Sequence, residues 1–270
     1  MVFARSRLAA PASLALALAL GACASMPDKT KTEPLEPPLP VRAEPSFESI
    51  TLFDAVRERE IPVALYEPVR RAGEALPPLV VFSHGNASRN TYYSFINEAL
   101  AERGYLVASI QQQLPDDPPL AMSGNIFQQR MNSWILGEDN IDYVVEDLRA
   151  RGLVEPNGKL VLIGHSHGGD ISFFYASHFP SRVRAAISLD NLRVPAPHTA
   201  NPKICTIRAA DPLADPGVVP DQEEQNEYDI SVVQVPGIKH GDMQDWAPEA
   251  QKQEMLSAIL ACLGETPAVG

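Results

Sequence analysis

Basic residues are scarce: 22 Lys and Arg stand against 34 Asp and Glu in 270 residues, a formal net charge of −12. The first 22 residues hold only Arg5 and Arg7 of these charges, so without them the balance is 20 against 34, or −14. A surface that acidic repels phosphate backbones, which excludes nucleic acid as a partner. Cysteine is scarcer still, at three residues, and no Cys, Asp or Glu cluster at ligand spacing accompanies the histidines, so neither a metal site nor a cofactor is expected. The chain has no long low-complexity tract and no internal repeat. Disorder of the whole chain and a repeat array are thereby excluded, and a composition that is 45% hydrophobic suits one domain with a sizeable core.

What is present begins with Arg5 and Arg7, followed by the apolar run "LALALALGA" and then "LGAC" at Leu20 to Cys23. A charged start, a short apolar stretch and a small-residue cleavage site read as a secretory signal over residues 1–22. The Leu-Gly-Ala-Cys string resembles the lipobox of bacterial lipoproteins. The resemblance implies diacylation of Cys23 and anchorage of the protein to a membrane leaflet. Ala24, where an Asp would direct retention at the inner membrane, implies the outer membrane of a bacterial cell envelope, facing the periplasm. Residues 23–46 are rich in Pro, Lys and Glu and are expected to be a flexible tether, followed by a folded domain over 47–264 and a tail over 265–270. Export would permit a disulfide between Cys205 and Cys262, but both lie in core segments and are expected as buried free thiols.

From residue 47 the apolar pattern alternates between short runs and helix-period segments. "FESITLFDAV" and "IPVALYEP" are expected to pair as a hairpin through the charged turn at Arg57 to Glu60. "PLVVFSH", "YLVASI", "KLVLIG", "VRAAISL", "KICTIRA" and "DISVVQV" read as six further strands. Between them, Ile141, Val144, Val145 and Leu148 repeat at i, i+3, i+4 and i+7 on a long helix. Another helix follows Gly168 and ends at Pro180, and a last one carries Met255, Leu256, Ile259, Leu260 and Leu263. Strands that are continuously apolar imply a sheet buried on both faces, and their alternation with helices implies mostly parallel pairing. The expected fold class is α/β, with an eight-stranded, mostly parallel sheet flanked by helices.

In an open parallel sheet, ligands bind at the carboxyl ends of the strands. After "KLVLIG" comes Gly164-His165-Ser166-His167-Gly168, a G-x-S-x-G string between an expected strand and an expected helix. That turn exposes a serine hydroxyl and puts the next backbone N–H at a helix N-terminus, where it can meet an oxyanion. Ser166 is therefore the candidate nucleophile. Residues two apart in a sharp turn diverge, so His165 is expected to pack under the turn and His167 to line the pocket wall, rather than to bind a metal together. A serine needs a base, and the base needs a carboxylate to hold its tautomer. His240, in "PGIKHGDMQD" after the last strand, is the candidate base. Asp211, directly after the seventh strand, is favoured as the acid, with Asp215 as the alternative and Asp190 in "SLDN" as a third candidate.

The strings "LVVFSHGNASRNTYY" and "GHSHGGD", with a late Asp and His, resemble the α/β-hydrolase superfamily over residues 47–264. Within it they look most like the platelet-activating-factor acetylhydrolase and dienelactone hydrolase-like branches. The resemblance implies an oxyanion hole made by the backbone N–H groups of Asn86 and His167, with His84 shaping the loop. It also implies a serine hydrolase acting on a small-molecule or lipid carboxylic ester. A serine peptidase, a thioesterase and a non-catalytic envelope-binding lipoprotein remain the alternatives. Only residues 190–202 separate the sixth and seventh strands, so the cap is minimal and the expected cover is the Pro- and Gln-rich segment 111–133.

Overall fold

Aliphatic residues on both sides of each central strand demand two apolar layers, and the chain supplies both. The structure, a computed structural model, describes residues 44–211 and 214–265. Eight strands form one sheet: β1 (Ser46–Asp54), β2 (Arg59–Glu67), β3 (Leu79–Ser83), β4 (Leu106–Ile110), β5 (Leu160–His165), β6 (Val183–Leu189), β7 (Lys203–Arg208) and β8 (Ser231–Gln234). Their order across the sheet is β1-β2-β4-β3-β5-β6-β7-β8. β1 pairs antiparallel with β2, and β2 with β4. The remaining pairs are parallel.

Alternate residues of one strand feed opposite cores. Leu79 and Val81 of β3 join the layer under α2 (Ile126–Ala150) and α3 (His167–His178), whereas Val80 and Phe82 join the layer under α1 (Ser94–Ala101) and α5 (Glu249–Leu263). In α2 the expected face, Ile141, Val144, Val145 and Leu148, is buried. Asn125 starts this helix by accepting a hydrogen bond from the Gln128 N–H, as an N-cap does. The hairpin turns over 55–58, with Asp54 opposite Arg59, slightly ahead of the expected position. A short helix, α4 (Gln222–Tyr228), has no counterpart in the sequence reading: it buries no residue, and a capping box between Asp221 and Glu224 holds its start.

One expectation is overturned here. Cys205 and Cys262 are not free thiols but a disulfide, with their Cα atoms 6.3 Å apart. Both are core residues as expected, but Cys205 on β7 and Cys262 on α5 belong to the same apolar layer and face each other across it.

Parallel registration brings strand ends together at one edge. Ser83 of β3 pairs with Gly164 of β5, His165 with Leu189 of β6, and Leu189 with Ile207 of β7. Residues that follow these four strands therefore form a contiguous row. Residues 190–202 join β6 to β7 without a helix, so the cap is minimal. Among the described residues no helix is long and apolar enough to cross a membrane. The signal, Cys23, most of the tether and the residues after 265 lie outside the described residues.

Candidate active site

Ser166 sits between the end of β5 and the start of α3 with φ 53° and ψ −117°. A non-glycine residue held there stores strain, and the turn around it enforces that backbone. A Cβ on Gly164 would overlap the Gly168 carbonyl, and one on Gly168 would overlap the Ser83 carbonyl of β3. Only glycine lets the strand, the turn and the helix approach so closely. The Ser166 N–H donates to the Leu189 carbonyl at 2.8 Å, which ties the turn to the end of β6.

Ser166 and His240 meet. The Ser166 hydroxyl lies 2.9 Å from His240 Nε2, and His240 Nδ1 lies 2.6 Å from a carboxylate oxygen. That carboxylate is Asp190, not Asp211 or Asp215. Asp190 follows β6 directly, is fully buried, and takes φ 54°, a turn that aims its side chain along the row of strand ends. Its Oδ2 accepts from His240, while Oδ1 accepts from Arg208 Nη2 at 2.8 Å and from the Ala209 N–H at 3.2 Å.

The favoured acid of the sequence reading holds the same histidine differently. Asp211 Oδ1 accepts the backbone N–H of His240 at 3.0 Å and so fixes the loop rather than the ring. Asp215 is drawn away into an ion pair with Arg193. The reason lies in strand order: β6 lies beside β5, so the residue after β6 reaches the imidazole, whereas β7 is one strand further and ends in the Arg208 guanidinium. Burial lowers the Arg208 pKa, and the Asp190 and Asp170 charges oppose that.

The two histidines beside Ser166 are neutral and differ in role. Burial holds the His165 pKa down to about 3. Its Nε2 donates to the His240 carbonyl at 3.0 Å, which leaves Nδ1 to accept from the Tyr93 hydroxyl at 2.8 Å. Tyr93 in turn accepts the Gly85 N–H at 3.1 Å. One chain of bonds thus links the loop after β3 to the loop carrying His240. Both nitrogens of His165 are occupied, so it offers nothing to a metal. His84 accepts the Gln112 N–H at Nε2 (2.9 Å) and therefore donates from Nδ1 to the Gly85 carbonyl at 2.6 Å. Burial lowers its pKa to about 4.

His167 is also buried, with a pKa lowered to about 3 by burial and then by the Arg130 charge. Its Nδ1 has no hydrogen-bond partner among the described residues. The backbone N–H of His167 opens α3, and Asn86 follows Gly85, whose added Cβ would lie 3.4 Å from the Ser166 Cβ. Neither amide takes part in the turn and loop hydrogen bonds of the described residues.

Two depressions lie on either side of the segment that follows β4. A cavity of about 310 Å³ lies between residues 112–121 and α2, with His167 in its wall. A more open groove of about 650 Å³ runs between residues 86–91 and 111–115, with Asn86 in its wall. The expected cover, 111–133, thus contributes to both.

A serine, a histidine and a buried carboxylate in series, at the carboxyl edge of a mostly parallel sheet, are the arrangement that a nucleophilic hydrolase requires. The model of the family described as "alpha/beta hydrolase fold" matches residues 78–212. The chain belongs to the α/β-hydrolase family. A search of curated protein sequences returns no match. Among solved structures, the chain resembles a ferulic acid esterase from Streptomyces cinnamoneus, with 19% identity over 87% of this chain and 86% of that one, at a TM-score of 0.55. It also resembles Est1E from Butyrivibrio proteoclasticus, with 13% identity over 80% and 99% of the two chains and a TM-score of 0.57. Esterase 2 from Thermogutta terrifontis, in a form phosphorylated by paraoxon, shows 13% identity over 81% and 94% and a TM-score of 0.59. At these identities the likeness is one of fold.

Proposed function

We propose that the protein is a serine hydrolase that cleaves carboxylic esters through an acyl-enzyme. The observation that carries this is the unbroken line of contacts from Ser166 Oγ through both His240 nitrogens to Asp190, at 2.9 and 2.6 Å. With Nδ1–H donating to the carboxylate, His240 must present an unprotonated Nε2 to the serine, which is the tautomer of a general base. Ser166 Oγ attacks the ester carbonyl carbon as its proton passes to Nε2. The Asn86 and His167 amides take the oxyanion, aided by the positive end of α3. Collapse breaks the bond to the alcohol oxygen, which receives the proton from Nε2. Water then attacks the acyl-enzyme by the same route in reverse order and releases the carboxylic acid.

The test is covalent labelling by a fluorophosphonate probe, with Ser166→Ala as control, followed by a panel of esters, thioesters and aminoacyl amides. Labelling that needs Ser166, with ester turnover above amide turnover, is the expected result. A folded wild-type protein that stays unlabelled refutes the reading, and amide cleavage without ester cleavage replaces the esterase by a peptidase. The Thermogutta relative, an esterase phosphorylated by a phosphorus electrophile, supports the choice of probe. We also propose, from the string Leu-Gly-Ala-Cys, that Cys23 carries a lipid and holds the enzyme at the bacterial outer membrane, facing the periplasm.

A further inference from the structure

We propose that the cavity between residues 112–121 and α2 is the acyl site, and that His167 and Asn132 make it selective for short acyl groups bearing a neutral hydroxyl or carbonyl substituent. The inference rests on the serine hydrolase reading. His167 follows Ser166 directly and lines this cavity, so the cavity opens beside the nucleophile. Of the two depressions it is the more enclosed, and an acyl group that stays bound through two chemical steps belongs in the enclosed one; the open groove on the Asn86 side is left for the departing alcohol.

Size limits the acyl group. At the ~30 Å³ that a water-sized group occupies, the cavity volume of about 310 Å³ holds about ten non-hydrogen atoms. That suits a short branched chain or a single ring, and a long fatty acyl chain would extend beyond it.

Chemistry limits it further. Pro118, Pro119, Leu120 and Leu136 supply apolar wall, but His167 and Asn132 line it as well. The His167 side chain is 2% exposed; its Nδ1 is enclosed and unpartnered, so it contributes no bond to the wall, and its Nε2 has no partner among the described residues either. With Nδ1 enclosed, Nε2 is the nitrogen left to serve a substrate. The Asn132 carboxamide, at the rim, likewise has no partner among the described residues. Neither group carries charge, and the acid in the wall, Asp117, is taken up by a two-fold ion pair with Arg59 at 2.7 Å for each bond. The lining therefore offers hydrogen bonds from uncharged groups, and Arg130, whose charge reaches His167, lies behind it with Nε on the Ala121 carbonyl and Nη2 on Met122 Sδ.

The wall is also braced before any substrate arrives. Arg130 Nε donates to the Ala121 carbonyl at 2.8 Å, and Gln112 is held between Ser83 Oγ at 2.9 Å and Asn140 Nδ2 at 3.1 Å. A braced wall discriminates between acyl groups instead of reshaping around them.

The experiment measures kcat/KM for p-nitrophenyl esters in matched pairs, butyrate with 3-hydroxybutyrate and phenylacetate with 4-hydroxyphenylacetate, with palmitate as the long-chain member. Wild type is expected to favour the hydroxylated member of at least one pair about tenfold, and to turn over palmitate poorly. His167→Leu should bring that ratio to one or below, His167→Gln should restore part of it, and Asn132→Ala should lower it. A wild-type ratio of one or less in both pairs overturns the proposal, as does an unchanged ratio in His167→Leu. Where His167→Leu fails to fold, an unchanged ratio in Asn132→Ala overturns it. Fluorophosphonate labelling of the same proteins separates the two failures: labelled protein without the preference refutes the acyl site alone, and unlabelled wild type refutes the hydrolase reading beneath it.

Discussion

Replacing Asp190 by Asn changes one atom and, by the geometry around it, reverses a tautomer. The carboxylate Oδ1 accepts from Arg208 Nη2 and from the Ala209 N–H, whereas Oδ2 faces His240 Nδ1 at 2.6 Å. An asparagine in this place keeps its oxygen toward the two donors, because the alternative points an NH₂ group at a guanidinium. Its NH₂ then faces His240 Nδ1, which must become an acceptor, and the proton moves to Nε2. A histidine with Nε2 protonated has no lone pair for the Ser166 proton. The expected loss in kcat is on the order of 10⁴-fold, about 5 kcal/mol of transition-state stabilisation. Asp211→Asn is the comparison: an amide oxygen can still accept the His240 backbone N–H, so its loss should stay within about tenfold. The assay is steady-state ester turnover together with the rate of fluorophosphonate labelling. Thermal melts separate lost chemistry from lost fold, since Asp190→Asn also strips the buried Arg208 of its counter-ion. If Asp190→Asn stays within tenfold of wild type, or Asp211→Asn loses 10³-fold or more, the assignment of the acid to the end of β6 is wrong.

Two further outcomes follow from buried charge and from the N-terminal signal. His84, His165 and His167 titrate at about 4, 3 and 3 in the native state, and Asp170 at about 6. Below the ordinary histidine value the unfolded chain therefore binds three protons that the native one does not, while the native chain holds one, on Asp170, that the unfolded one lacks. A net two protons make stability rise with pH, so it is complete above about pH 6.5 and is lost as pH falls toward 4, by up to about 3 kcal/mol per unit; urea midpoints between pH 7 and 4.5 check this, and a flat profile would show that the three imidazoles are not held neutral. Cys23→Ala is expected to move the protein from the membrane to the soluble fraction of the producing cell, and unchanged retention would remove the lipid anchor from the proposal.

The fold was legible because its signals are local. Strands that bury both faces are apolar on both, and β3, β5 and β6 show this over 79–82, 160–163 and 185–187. The long helix was legible from Ile141, Val144, Val145 and Leu148, whose spacing is its buried stripe. What has no apolar pattern escaped: α4 buries nothing, and its one advance signal was the Asp221 to Glu224 capping box. The Cys205–Cys262 disulfide escaped for a different reason. Core membership can be read from a strand and a helix one at a time, but their juxtaposition across a layer depends on how α5 packs against β7.

The pairing of Ser166 with His240 was legible from a motif and from chain order, whereas the partner of His240 was not. Which carboxylate meets the ring depends on which strand lies beside β5, and strand order is a property of the assembled sheet. One local clue did exist in "KICTIRA". An arginine inside an apolar strand needs a buried counter-charge, and the carboxylate at the end of the neighbouring strand supplies it. Arg208 fixes Asp190 through one oxygen and leaves the other for His240. Asp211, freed from holding the ring, holds the His240 backbone instead. The base is therefore clamped from the ends of two strands, ring from β6 and backbone from β7, and Asp190 and Asp211, the third and the favoured candidate of the sequence, divide one task.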